Sequence, residues 1–180
     1  PVYLKQMEDL VTRAARLHFN GDTEFSEKLS GPFQRPLGIF VTAKKAGKIL
    51  GCMGNLHPQE ENLAAEVITN LSKAFGQDPR HLPIEAHQVG GLEIFITWVG
   101  RPRAISRPET LNPFRDSIMV SQGRRRAIVL AGEAKTLRYQ LALARAKAGI
   151  RTDQPYQIYR LTSKSLSVKI PEDFSPNPHE

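Results

Sequence analysis

The sequence predicts an α+β fold in which helices pack on a mixed or antiparallel sheet. Three observations carry this prediction: amphipathic helical segments alternate irregularly with β-prone runs, two pairs of those runs are joined by short glycine-containing turns, and the segment order is helix, hairpin, helix, strand, hairpin, helix, strand. Because hairpins interrupt the strand–helix alternation, a doubly wound parallel sheet is not expected.

The first half of the chain is expected to contain two helices and a hairpin. Residues 4–18 repeat apolar side chains at helical spacing, and a loop rich in Gly, Ser and Pro follows over 20–37. Residues 38–42 and 49–53 are β-prone, and the glycine turn between them predicts an antiparallel hairpin. The second helix is expected to begin near Asn62 and to be capped at its C-terminus by Gly76, before Asp78-Pro79.

The second half of the chain is expected to add strands and one helix. Alternate apolar residues over 92–99 predict the strongest strand of the chain. A hairpin is predicted next, with strands over residues 118–120 and 127–130. A third helix is expected over about 133–148, and a last strand over 156–161.

Length and cysteine content favour one intracellular domain. The 180 residues fit a single domain, predicted over 1–170, with a flexible tail over 171–180 that contains three prolines. Cys52 is the only cysteine, so neither an internal disulfide nor a multi-cysteine zinc site is available. The sequence shows no secretory leader and no long apolar run, so we expect no membrane association and a cytoplasmic location.

The charge balance is basic. Lys and Arg number 25 against 18 Asp and Glu, a net charge of +7, which favours encounters with nucleic acid or another polyanion. The densest basic clusters are Arg101 with Arg103 and the run Arg124, Arg125 and Arg126, each in or beside an expected turn. A solvated basic surface without a nucleic-acid partner is the alternative interpretation.

The segment Gly51-Cys52-Met53-Gly54 is the most suggestive motif for chemistry. Glycines on both sides let a ligand or another backbone approach the thiol closely. Lys48, or N–H groups of the helix beginning near Asn62, would activate Cys52 as a nucleophile if they lay beside it. The alternative is a buried structural cysteine whose glycines form a bulge or turn.

Partners for the thiol are not singled out by spacing. His57, His81 and His87 are candidate bases for a Cys–His pair, but a surface position is the favoured interpretation of each of them. His81, Glu85 and His87 match no metal-ligand spacing, and we assign no metal. Phosphate-binding loops and the serine-hydrolase elbow do not occur.

Several motifs, read in order, resemble one family, the AMMECR domain family. Residues 38–44 and 50–54 are similar to its "G-x-F-V-T-x-K … L-R-G-C-I-G" signature, 78–83 to "D-P-R-F-P-P", and 146–150 to "R-K-A-G-L". The strand 92–97 also resembles the family pattern, so the likeness covers about residues 7–166. Departures are Leu50 for the family arginine, Met53 for isoleucine, His81 for the aromatic residue, and the segment 131–140.

The resemblance implies two unequal lobes that share a cleft, with the cysteine motif near it. Cys52 becomes the candidate nucleophile or contact residue, and the candidate ligand-binding residues are Thr42, Gly51, Gly54, Asp78 and Arg80. The resemblance supplies no reaction and no cofactor. It implies a pathway shared with a Memo-like protein and a radical SAM protein, which prokaryotic relatives often accompany.

Two classes of function remain open from the sequence. One is a small enzyme or ligand-binding subunit in which Arg80 pairs an anionic substrate, Asp78 orients it and Thr42 hydrogen-bonds near the thiol. The other is a non-enzymatic module that binds a protein or RNA through its basic turns. A structural turn capped by Asp78 is the alternative for Asp78-Pro79-Arg80.

Overall fold

A computed structural model describes residues 2–21 and 29–177, and the chain divides into two compact units. The first unit comprises residues 1–98 and 165–180, and the second comprises 99–164. The helices are α1 (Val2–Asn20), α2 (Leu63–Gly76) and α3 (Leu137–Ala148). The strands are β1 (Phe40–Lys45), β2 (Lys48–Gly54), β3 (Glu93–Val99), β4 (Arg103–Ile105), β5 (Ser117–Gln122), β6 (Arg125–Val129), β7 (Gln157–Leu161) and β8 (Ser163–Lys169).

The predicted α+β class is confirmed, with two antiparallel sheets where the sequence indicated one. The first sheet has the strand order β2-β1-β3-β8 and the second has β4-β7-β5-β6. Both predicted hairpins and all three predicted helices occur. Strands β4 and β8 were not predicted, because β4 has only three residues and β8 is rich in polar residues.

The hairpin that carries the cysteine closes in a two-residue turn. Ala46 and Gly47 both have positive φ, at 48° and 76°, which is the conformation that matches the twist of two paired strands. The register places Thr42 directly opposite Cys52. Strand β2 stands at the end of the strand order β2-β1-β3-β8 and is therefore an edge strand of the first sheet as described.

Helix α2 packs against this edge hairpin. Its N-terminus is capped by Asn62, whose side chain accepts a hydrogen bond from the Ala65 N–H at 2.9 Å. Gly76 is its last helical residue rather than the predicted cap; the C-cap is Gln77, whose N–H donates to the Lys73 carbonyl oxygen. At Gly51, an added Cβ would overlap the carbonyl oxygen of Ala74, so α2 and β2 touch backbone to backbone there.

The second unit has its own core between α3 and one face of its sheet. Ile118, Val120 and Val129 on this face are buried together with Ala144 of α3. The helix begins four residues later than predicted, because Thr136 is its N-cap and accepts from the Tyr139 N–H. It ends at Gly149, which is left-handed with φ 66°.

The predicted domain boundary at 170 stays a prediction. Within the described part of the proposed tail, Phe174 packs against the core of the first unit, and the carbonyl oxygen of Ser175 accepts from Arg16 Nε at 3.3 Å. Over residues 2–21 and 29–177, no helix is both long and apolar enough to cross a membrane.

We expect Gly51→Ala to lower the free energy of unfolding by about 3 kcal/mol, because neither contacting backbone can retreat without moving a whole element. Urea denaturation measures this loss. Gly76→Ala is the matched control on the same helix, since its Cβ would meet only the His18 ring at 3.3 Å. The control should change stability by less than about 1 kcal/mol, and an equal effect of both substitutions would contradict the close-packing explanation.

Candidate functional site

The backbone of Cys52 is held on its outer side by two side chains rather than by a strand. The Cys52 N–H donates to Asp78 Oδ2 at 2.9 Å, and the Cys52 carbonyl oxygen accepts from Arg80 Nη2 at 2.9 Å. These are the two groups that an edge strand leaves without a ladder partner. Asp78 and Arg80 thus replace a neighbouring strand at this one residue.

Asp78 and Arg80 are also bonded to each other through a two-pronged contact. Arg80 Nε lies 2.9 Å from Asp78 Oδ1, and Arg80 Nη2 lies 2.9 Å from Asp78 Oδ2. The Arg80 N–H donates to Asp78 Oδ1 at 3.0 Å as well. This bidentate geometry fixes the guanidinium orientation. The Asp78 side chain is 1% exposed and the Arg80 side chain is 28% exposed.

Asp78 is held in its ionised form. Burial alone would raise the pKa of this carboxyl, but hydrogen bonds from the Arg80 side chain and from the Cys52 and Arg80 N–H groups, with the Arg80 charge, outweigh burial and hold the pKa below its ordinary value. The charged form is the one that caps Cys52.

The Cys52 side chain has a hydroxyl neighbour across the hairpin. Thr42 Oγ1 donates to Cys52 Sγ at 3.1 Å, and both residues are 4% exposed. The Cys52 N–H and carbonyl point away from β1, so Thr42 and Cys52 form the closer, non-hydrogen-bonded type of cross-strand pair. Their side chains therefore meet directly.

The two glycines of the motif have packing explanations. Gly51 lies against the Ala74 carbonyl group. A Cβ added at Gly54 would overlap the Ile39 carbonyl oxygen and would lie 2.4 Å from Phe40 Cα. In each case the approaching backbone belongs to this chain. Neither glycine thereby indicates a ligand.

The expectation that the N-terminus of α2 faces the thiol is wrong. Gly51 meets Ala74 near the C-terminal end of α2, and Asp78 follows that end. Carbonyl oxygens at a helix C-terminus carry partial negative charge, so this end offers a thiolate no helix-dipole stabilisation. Helix direction within the packed unit is not readable from the motif itself.

The histidines considered as bases occupy different surroundings. His81 Nε2 lies 3.9 Å from Asp78 Oδ2, which places its imidazole beside the cluster, with the side chain 29% exposed. His87 Nδ1 lies 3.2 Å from Glu85 at an exposed position. In the part of the chain that the structure describes, no group of three or more His, Cys, Asp and Glu is placed to hold a metal ion.

The structure brings the predicted residues Thr42, Gly51, Cys52, Asp78 and Arg80 together, with Gly54 two residues along β2. The basic clusters are elsewhere, in the second unit. Arg103 is in β4 and Arg125 with Arg126 is in β6, and these two strands are the opposite edges of the second sheet. Sequence reasoning missed that Asp78 and Arg80 cap the backbone of β2, for which the only sequence signal is the short polar turn that follows a helix.

Comparison with known proteins places these features in a family. The AMMECR1 family model matches residues 8–166. A protein of Thermotoga maritima is 33% identical over 134 residues, which covers 72% of this chain and 77% of that protein. A protein of Clostridium acetobutylicum is 30% identical over 123 residues, and the match spans only 26% of its length.

A solved structure has the same fold. The crystal structure of an uncharacterised protein from Pyrococcus horikoshii superposes with a TM-score of 0.72 at 20% identity, and the match covers 91% of this chain and 94% of that one. At this identity the likeness concerns the fold alone.

We expect Asp78→Asn to lower the free energy of unfolding by about 3 kcal/mol near pH 7, because it removes the buried charge that pairs with the Arg80 guanidinium. A carboxyl whose pKa is lowered by folding stabilises the protein above its unfolded pKa of about 4, and that contribution is lost as the pH falls through the folded pKa. The stability gap between wild type and variant should therefore shrink in acid. Urea denaturation from about pH 7 down to about pH 3 measures it.

Two features make this test specific. Burial lowers the pKa of His18, which weakens both proteins in acid and cancels in the difference between them. Asp9→Asn removes an exposed carboxylate that lies 3.8 Å from Lys5 and should leave stability within about 0.5 kcal/mol. A gap for Asp78→Asn that stays constant down to pH 3 would contradict the role of the charge.

We expect native Cys52 to react with iodoacetamide at least about 100-fold more slowly than the urea-unfolded chain, because only 4% of the residue is exposed. Rates followed by mass spectrometry from about pH 6 to 10, with N-acetylcysteine as the reference thiol, measure this. Native labelling at neutral pH as fast as that of the reference would instead identify an accessible, activated thiolate.

Proposed function

Since the chain belongs to the AMMECR1 family, we propose that it is a ligand-binding protein that takes a small anionic molecule at Arg80 and His81, with Cys52 packed beneath this surface. The pathway shared with a Memo-like and a radical SAM protein is part of this proposal, as is a place in an intracellular enzyme system. No metal has a role in it.

The observation that carries the proposal is the fixed and partly exposed guanidinium of Arg80. Its orientation is set by Asp78 Oδ1 and Oδ2, so little side-chain entropy remains to be lost when an anion binds. The guanidinium keeps its positive charge in this position, and arginine suits carboxylate and phosphate oxygens. The 28% exposure of its side chain gives a small solute access to it.

His81 strengthens the same side of the cluster. Its backbone N–H donates to the Asp78 carbonyl oxygen at 3.2 Å, which fixes the residue in the turn. Its imidazole is partly exposed and lies beside the Asp78 carboxylate. When protonated, this imidazole adds a second cation next to Arg80 for an anionic ligand.

The role of Cys52 in this proposal is contact and support rather than nucleophilic attack. Its thiol accepts from the Thr42 hydroxyl, and both side chains are buried. A nucleophile needs an adjacent base and access to its substrate. Cys52 is buried and its thiol accepts from the Thr42 hydroxyl, which suits a packing group beneath a binding surface.

We expect inorganic phosphate, pyrophosphate or a dicarboxylate to raise the melting temperature of the wild-type protein, and Arg80→Lys to weaken that ligand at least about tenfold, or about 1.4 kcal/mol. Lysine keeps the charge but loses the planar fork. Thermal shift selects the anion and titration calorimetry measures its dissociation constant. Arg35→Lys, at an exposed arginine of the same unit, is the matched control and should leave the affinity unchanged.

The outcomes separate the roles within the site. Cys52→Ser should change affinity less than about threefold if the thiol only supports the surface. Loss of a turnover with Cys52→Ser while binding persists would make Cys52 a nucleophile. No stabilisation by any anion of the panel, with Arg80→Lys and wild type alike, would overturn the proposal.

A further inference from the structure

The two units carry opposite net charge. Fourteen of the 25 Lys and Arg residues fall within residues 99–164, but only four of the 18 Asp and Glu residues do. The second unit therefore has an excess of ten positive charges, and the first unit has an excess of three negative ones. The net charge of +7 conceals this separation. A field of one sign over a unit of this size attracts polyanions.

The kind of basic residue also differs between the units. Eleven of the fourteen in the second unit are Arg, whereas seven of the eleven in the first unit are Lys. Lys and Arg contribute the same positive charge, so net charge alone does not explain the preference for Arg. Arginine is favoured where oxyanions are bound through two parallel N–H donors, as in phosphate recognition.

The acidic residues of the second unit are already engaged. Each of the four lies within ion-pair distance of a basic residue, in the pairs Arg107–Glu109, Arg160–Asp116, Lys147–Glu133 and Arg151–Asp153. The remaining excess of positive charge is consequently not balanced by carboxylates of the same unit. The chain as a whole keeps a net charge of +7, which ions or a partner from solution must balance.

The turn between β5 and β6 concentrates this charge. Arg124, Arg125 and Arg126 are exposed there, and Gly123 with φ 58° turns the chain. Arg125 Nη1 donates to the Gly149 carbonyl oxygen at 3.1 Å, which ties the turn to the end of α3.

Two further contacts complete the basic patch. Gln122 Nε2 donates to the Pro155 carbonyl oxygen at 2.8 Å, and Lys147 Nζ donates to the Ile128 carbonyl oxygen at 2.8 Å. The turn, the end of α3 and the segment that carries Arg151 are thereby held together. We define the arginine-turn patch as Arg124, Arg125 and Arg126; Lys147 and Arg151, which are ion-paired with Glu133 and Asp153, flank it.

The composition of this patch suits phosphates better than a protein. Protein interfaces are anchored by buried aromatic or aliphatic side chains at their centre. Within the described residues, the large exposed apolar side chains of the second unit are Phe114 and Tyr139, and neither belongs to the turn or to 149–155. A surface of arginines without apolar anchors matches backbone binding that is independent of sequence.

From these observations we propose that the arginine-turn patch binds the phosphate backbone of a nucleic acid. The binding uses the second unit and is separate from the Arg80 cluster in the first unit. The binding rests on charge and on donors to phosphate oxygens and needs no contact with the bases.

The test is fluorescence anisotropy of the whole protein with labelled 20-nucleotide single-stranded RNA and a duplex DNA of equal length, between about 25 and 300 mM salt. We expect log affinity to fall linearly with log salt. Arg124→Gln with Arg126→Gln should weaken binding at least about tenfold at 100 mM salt and reduce the slope by roughly 1.5, at about 0.7–0.9 for each lost phosphate contact.

The matched control is Lys5→Gln with Lys48→Gln, which removes two exposed charges from the first unit and should change affinity less than about twofold. Melting temperatures of all proteins verify that they fold. Equal losses in both double variants, or no binding to either nucleic acid at 25 mM salt, would overturn the proposal. Tighter binding of polyglutamate than of RNA would assign the patch to an acidic protein and overturn it as well.

Discussion

The site depends on one requirement: the outward-facing peptide groups of Cys52 need partners, because β2 is an edge strand in the described part of the chain. Asp78 accepts from the N–H and Arg80 donates to the carbonyl, so the turn after α2 must lie against β2. That placement is consistent with the backbone contact between Gly51 and Ala74. The return of the chain is fixed once more by the Ile84 N–H, which donates to the Phe75 carbonyl oxygen at 2.7 Å. The exposed edge of β2 is thus covered at Cys52 by the turn that follows α2.

The same requirement explains why a charged pair is tolerated in a nearly buried place. A buried ion pair is stabilising only when additional hydrogen bonds satisfy its remaining donors and acceptors. Here both carboxylate oxygens of Asp78 accept backbone N–H groups in addition to the guanidinium. The partial exposure of Arg80 lowers the desolvation penalty on its side of the pair. Structural capping and anion binding are therefore compatible roles for one arginine.

Local sequence patterns predicted the helices and the hairpin but not the contact of Asp78 and Arg80 with β2. Helix α2 and the β1–β2 hairpin follow from apolar spacing, the Asn62 cap and a glycine turn, all of which lie within a few residues. The bond from Cys52 to Asp78 joins residues 26 positions apart, and no periodicity encodes it. The likeness of 50–54 and 78–83 to one family's motifs grouped these residues without giving their geometry. Strand β8 was missed because SKSLSVK is largely polar and partly exposed, so the apolar alternation that identifies a strand is weak.

Because the two units differ in net charge, the two proposed sites should depend on different interactions. The first unit is net negative, so long-range attraction does not draw an anion to Arg80, and selectivity there must come from short hydrogen bonds with fixed geometry. The second unit attracts polyanions at distances where salt screens strongly, since the Debye length is about 8 Å at physiological ionic strength. Salt concentration should therefore mainly change the affinity at the arginine-turn patch, whereas the shape of the ligand should mainly decide the affinity at Arg80. A single basic surface over the whole chain would make both interactions depend on salt alike, and the division of charge between the units argues against that arrangement.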